Sequence, residues 1–161
     1  MSIGFVAWAM SSFRGHNFAF CEKTITSLKR NVMMPLLDSL GSLGFTYLER
    51  VSKNYVNITL ANVTNRFYIF GGKDESSAAL IQGMTLTGVL LDEVALMPRS
   101  FVEQALARCS VSGSRLWFNC NPDHPAHWFY REWIQKADEK NALYLHFTMR
   151  DNPSLSDRVR R

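Results

Sequence analysis

With 161 residues, 47% of them hydrophobic and 20% charged, the chain is long enough for one domain with a real core and has an ordinary globular composition. The net charge of +4 is compatible with an anionic partner, nucleotide or nucleic acid, but no dense basic tract requires one. Cys21, Cys109 and Cys120 are odd in number, widely spaced and without a CxxC pair, which excludes a disulfide framework and points to a reducing, cytosolic setting. The apolar opening, residues 1–15, has no basic flank before it and is too short for a membrane span.

In chain order, Ile3, Val6, Ala7 and Met10 follow helical spacing, and Arg14 and Gly15 supply a basic last turn and a stop. With no capping residue in front of it, this helix is expected to have its beginning upstream of residue 1. Residues 17–21 read as a short buried strand. Residues 24–40 read as a helix, capped by Thr24 or Thr26, with Leu28, Val32, Leu36, Leu37 and Leu40 on one side and Pro35 imposing a kink or a division in two. A strand over 45–50 precedes residues 55–61, where Val56, Ile58 and Leu60 alternate with Asn57 and Thr59; after a turn at 62–65 the chain returns over 66–70, making an antiparallel hairpin.

Residues 77–82 have room for one or two helical turns before the strand over 87–92, whose run Val89, Leu90, Leu91 lacks polar alternation and so suits a sheet covered on both faces. Helix 99–108 with Phe101, Val102, Ala105 and Leu106 inward, strand 115–119, an aromatic helix over 127–136 with Phe129, Trp133 and Ile134 inward, and a last strand over 143–149 complete the pattern. Strand and helix alternate after residue 84, which predicts a βαβαβ unit and a parallel sheet with right-handed crossovers. Its strands end in polar residues: Asp92 and Glu93, then Asn119 and Asn121, then Arg150 and Asp151. Open α/β sheets bind their ligands at such an edge.

Chemistry centres on Asp92 and Glu93. An apolar strand ending in two acids suits nucleotide hydrolysis, the first carboxylate holding Mg²⁺ and the second polarising the attacking water. As helix-capping acids they would need no ligand. Cys120, Asp123, His124 and His127 form a competing zinc-type set, weakened by two intervening prolines. Trp128, Tyr130, Arg131 and Trp133 interleave aromatics with a base, a pattern that stacks nucleobases but at this spacing favours a packed helix face.

The run IQGMTLTGVLLDEVALMP, residues 81–98, resembles the Walker B region of bacteriophage terminase large subunits, the DNA-packaging ATPases, particularly the type found in PBSX-like prophages. LWFNCNP with the following HWF (116–122, 127–129) resembles the coupling strand of that family, and FTMRDNPSL (147–155) its last core strand and exit. The three ordered matches imply an α/β fold: an incomplete RecA-like core of the ASCE P-loop NTPases, mostly parallel, with an antiparallel β-hairpin added. They imply that Asp92 serves Mg²⁺, Asp92 and Glu93 together face ATP, Glu93 is the catalytic acid, and Asn121 senses the γ-phosphate. Implied partners are double-stranded DNA, the terminase small subunit, the portal protein and further copies in a ring, in the cytoplasm of an infected or lysogenic bacterium and without a membrane.

The chain departs from the family pattern in two places. Gln82 stands where many members carry arginine, leaving the arginine finger unassigned, with Arg108 a weak substitute. No GxxxxGK followed by Ser or Thr occurs, and the Gly72-Lys73-Asp74 stretch fails that pattern because Phe67 stands where its first glycine belongs. Residues 1–161 therefore read as a partial ATPase domain, without the phosphate loop and without the C-terminal nuclease domain, that binds ATP poorly by itself. The alternative is an inactive remnant, or a half-enzyme that associates with a separately encoded segment bearing the loop.

Overall fold

The computed structural model describes residues 1–121 and 124–151. The chain divides into two units, residues 1–123 and residues 124–161. The first is built on a six-stranded sheet ordered β2-β3-β4-β1-β5-β6, from β1 (Asn17–Glu22), β2 (Thr46–Arg50), β3 (Tyr55–Leu60), β4 (Val63–Gly71), β5 (Gly88–Leu91) and β6 (Arg115–Phe118). β4, β1, β5 and β6 run parallel, while β3 pairs antiparallel with β4 and β2 antiparallel with β3.

Helices α1 (Ser2–Ser12) and α3 (Met34–Ser42) cover one face of the sheet. Phe5 of α1 is the hub there, its ring meeting Phe18, Phe20, Phe67 and Trp117 edge-on at 5.3–6.1 Å between centroids. The geometry of these contacts adds about 0.5–1.5 kcal/mol per pair to what burial of the rings contributes. α1 buries Phe5, Val6, Ala9 and Met10, a stripe displaced from the one expected: Ile3 and Ala7 face solvent because the Phe5 ring, too large for the rim, takes the centre of the sheet. On the opposite face α4 (Arg99–Ala107) packs on β5, burying Phe101, Val102 and Ala105.

The predicted helix around Pro35 is one rod rather than two. α2 (Ile25–Leu28) and α3 are joined through a π turn at Lys29–Met33, in which the Met34 N–H reaches back five residues to the Lys29 carbonyl. Proline has no N–H to give its own preceding turn and its ring crowds the carbonyl four residues back, so a widened turn just before Pro35 is the local solution. Thr24 caps the start, its Oγ1 accepting from the Ser27 N–H at 3.1 Å, and Gly44 at φ +85 turns the chain out of the helix.

The hairpin is longer than predicted and its turn tighter, at Ala61 and Asn62, with Ala61 at φ +51. Residues 77–82 are only partly helical, the observed element being a 3₁₀ turn over Glu75–Leu80.

In the second unit, residues 128–134 are helical with a π turn at Tyr130–Ile134, and the Phe129 and Trp133 rings stack at 6.0 Å. Phe129 is buried, but Trp133 and Ile134 are only half so. The strand predicted over 143–149 does not form. Alternating apolar residues make a strand only where a neighbour offers a hydrogen-bonding edge, and among the described residues none pairs with this segment: Leu143 is 86% and Phe147 74% exposed. The βαβαβ unit thus reduces to β5-α4-β6. Asp151 instead closes a local turn, accepting from the Thr148 N–H at 2.6 Å.

Candidate nucleotide site

Parallel pairing brings the C-terminal ends of β1, β5 and β6 to one edge. Leu91 ends β5, and the Asp92 N–H donates to the Cys21 carbonyl at 2.8 Å, continuing the ladder one residue further. On its other side the Asn119 N–H donates to the Leu91 carbonyl and the Val94 N–H to the Asn119 carbonyl, both at 3.0 Å. Asp92 is therefore held between two neighbouring strand ends. Its side chain is half-buried, and Oδ1 accepts from Asn119 Nδ2 at 2.6 Å.

Glu93 departs from strand geometry, with φ +50 and ψ +48. This left-handed conformation costs a residue with a side chain about 1–2 kcal/mol and turns the chain sharply into the 3₁₀ turn Val94–Leu96. The result is that Asp92 follows the α1 side of the sheet, with Leu90, while Glu93 is exposed at the rim.

Asp92 and Asn119 line a cleft of about 340 Å³ together with Ser2, Ile3 and Asn31. The first turn of α1 thus borders the acid-bearing edge, and a helix N-terminus favours anions. Oxygen donors from a carboxylate and an amide at the mouth of such a cleft fit a hard divalent cation. The cation would supply positive charge for phosphate oxygens.

Of the residues singled out in the sequence, Asp92 and Glu93 stand at the edge as expected. Asn121 is exposed beyond β6, with no hydrogen bond among the described residues; the Pro122 and Asp123 of its motif lie outside them, as does the end of the third motif from residue 152. Arg108 is at the opposite end of the sheet, its carbonyl accepting from the Leu86 N–H. Lys73 and Asp74 belong to a capping turn: Asp74 Oδ1 accepts from the Ser76 N–H at 3.0 Å and caps the 3₁₀ turn Glu75–Leu80. Asp123 of the zinc-type set is outside the described residues, among which no group of three or more His, Cys, Asp or Glu converges as a metal site.

Cys21 is fully buried, and its thiol pKa is raised by that burial; burial also pushes the Cys109 thiol up to about 12. Both are inert at neutral pH.

Sequence reasoning missed Glu22, whose only sequence signal was its place between a buried strand and the Thr24 cap. It is 2% exposed, its Oε2 has no hydrogen-bond partner among the described residues, and burial raises its carboxyl pKa. Ser27 hydrogen bonding opposes that rise, the negative charges of Asp92 and Glu93 add to it, and Arg30 lowers it.

A mostly parallel sheet with helices on both faces, an antiparallel addition and acids at the C-terminal edge of a central strand is a RecA-like ATPase-domain fold. The chain belongs to the phage terminase large subunit family, whose sequence profile matches residues 11–161. The large terminase of a thermophilic bacteriophage, solved in complex with ADP, is 54% identical and superposes with a TM-score of 0.94 over 99% of this chain and 39% of that one. The same terminase in complex with ATP-γ-S gives 53% and 0.91 over 99% and 38%. The chain thus spans about two fifths of that relative. The ATPase domain of the Thermus phage P74-26 large terminase, 16% identical with a TM-score of 0.59 over 78% of this chain and 55% of that domain, shares the fold. No curated protein matches. Among the described residues no helix is long and apolar enough to cross a membrane.

Proposed function

We propose that this chain supplies the acidic half of the ATP site of a phage DNA-packaging motor, in the cytoplasm of the bacterial host, with ATP and Mg²⁺ as its ligands. Asp92 holds the cation, Asn119 fixes the Asp92 carboxylate, and Glu93 takes the proton of the water that attacks the γ-phosphate. Asn121, two residues beyond Asn119, reports loss of that phosphate to the rest of the protein. The phosphate-cradling loop and the nuclease domain belong to segments other than residues 1–161. Double-stranded DNA, the terminase small subunit, the portal protein and a ring of like subunits are the partners of the assembled motor.

The observation that carries this reading is the Asn119–Asp92 hydrogen bond at the edge from which Glu93 projects. Two adjacent acids that served only as helix caps would need no amide from a neighbouring strand to orient the first. Support comes from the 54% identical relative, solved with ADP and with ATP-γ-S.

The test is a chimera in which this chain replaces the matching region of that relative's large terminase. It is expected to hydrolyse ATP, and Glu93→Gln to reduce turnover by about 10²–10⁴-fold while nucleotide still binds. Undiminished hydrolysis by the Glu93→Gln chimera would overturn the assignment. The 161-residue chain by itself is expected to show no measurable turnover, because the backbone amides and lysine of a phosphate loop supply much of the triphosphate binding.

A further inference from the structure

The sheet edge carries a third carboxylate that the scheme above leaves without a task. Glu22 closes β1, and the β1–β5 register, Phe20 opposite Leu90 and Cys21 opposite Leu91, sets it beside Asp92. Adjacent strands lie about 4.8 Å apart. Phe20 and Leu90 both enter the core beneath α1, so the two-residue period directs Glu22 and Asp92 to that same side of the sheet. Asn119 follows the same rule from β6, two residues beyond Trp117, which is paired with Leu90.

Glu22 is also closed off from water and incompletely partnered. It is 2% exposed, and its Oε2 meets no donor among the described residues. A buried carboxylate in that condition is costly, and proximity to a second carboxylate adds to the cost. No cationic side chain among the described residues forms an ion pair with it: the nearby Arg30 is exposed and donates from Nε to Asn31 Oδ1 at 3.1 Å. The missing complement is positive charge able to serve both acids at once.

We propose that Glu22 and Asp92 together form a site for a hard divalent cation, Mg²⁺ or Mn²⁺, that binds before any nucleotide arrives. This rests on the assignment of Asp92 as a cation ligand and extends it to β1. Two carboxylates from neighbouring strand ends, with water completing the shell, suit the oxygen preference of these ions. Asn119 orients Asp92 toward the shared ion.

The probe is Mn²⁺ alone, titrated into the 161-residue chain without nucleotide and followed by the electron paramagnetic resonance signal of free Mn²⁺. One ion per chain is expected, with affinity reduced at least tenfold, as an order-of-magnitude expectation, in both Glu22→Gln and Asp92→Asn. Glu22→Asp, which keeps the charge, is expected to recover part of what Glu22→Gln loses, and circular dichroism checks that each variant folds. Loss in Asp92→Asn with none in Glu22→Gln overturns the Glu22 proposal and leaves the Asp92 assignment standing. Unchanged binding in Asp92→Asn overturns that assignment. Equal loss in Glu22→Asp and Glu22→Gln makes Glu22 structural, and no binding by the unmodified chain refutes a nucleotide-independent site.

Discussion

Asn119 Nδ2 donates to Asp92 Oδ1 at 2.6 Å, joining side chains that belong to neighbouring strands and lie 27 residues apart. The amide can satisfy one lone pair of the carboxylate and leaves the others for a ligand. Removing such an outer partner typically costs about 10–100-fold in metal affinity or activity. Asn119→Ala in the chimera is expected to lower ATP turnover within that range, with a melting temperature close to the parent because the side chain is exposed. Steady-state ATPase assays and differential scanning fluorimetry measure the two quantities.

Asn65 is 1% exposed and ties α1 to the sheet: Nδ2 donates to the Ala9 carbonyl at 3.1 Å and the Phe13 carbonyl at 2.9 Å, while Oδ1 accepts from the His16 N–H at 2.9 Å. Asn65→Ala strands the His16 N–H and the Phe13 carbonyl near the end of α1, while the Ala9 carbonyl keeps the Phe13 N–H at 3.1 Å. An orphaned buried group costs about 1–3 kcal/mol, so a loss of about 3 kcal/mol is expected from urea unfolding, with water reaching some of the groups.

Gly88 begins β5 where the Trp8 ring crosses it. A Cβ at this position would come within 2.7 Å of Trp8 Cζ3 and 3.1 Å of the Arg115 carbonyl oxygen. The indole is held by Phe5, Phe13 and Phe18 and has little room to withdraw. Gly88→Ala is therefore expected to destabilise by about 1–3 kcal/mol, the range for overpacking, with a matching fall in the urea midpoint.

Asp74 titrates below the ordinary value of 3.8, chiefly because the Ser76 hydroxyl donates to it and the Ser76 and Ser77 backbone adds to the effect. A carboxyl with a lowered folded pKa contributes stability that is present above 3.8 and is lost as pH falls through the folded value. Asp74→Ala should thus melt earlier than the parent at pH 7, and the two melting curves should converge as pH is lowered below 3.8. A gap that persists in acid would mean that the aspartate acts through packing rather than charge.

The strands were legible where periodicity and burial agree. Tyr55–Leu60 alternates because one face lies on α1 and α3 while the other is partly open, and Gly88–Leu91 is uniformly apolar because both faces are covered. The acid pair was legible for the same reason, as an abrupt polar end to an apolar run.

Elsewhere the deciding partner is distant in sequence. Residues 143–149 alternate as a strand does, yet pairing depends on an edge that local pattern cannot supply. The α1 stripe was displaced by one bulky ring finding the sheet centre. Asn119 and Asn121 are equivalent as strand-end amides until the β5–β6 register places Asn119 against Asp92. Glu22 reads as a polar end to β1, and only the fold shows it sealed from water beside a second acid.

With Glu93 in the proposed catalytic role, its φ of +50 sets protein stability and chemistry against each other at a single position. Glycine or asparagine occupies that backbone region more comfortably than glutamate does. A library randomised at position 93 and sorted for thermal resistance should therefore enrich Gly and Asn, whereas sorting the chimera for ATP turnover should return Glu. The glutamate at this corner would then be retained by selection for work, against the preference of the backbone that carries it.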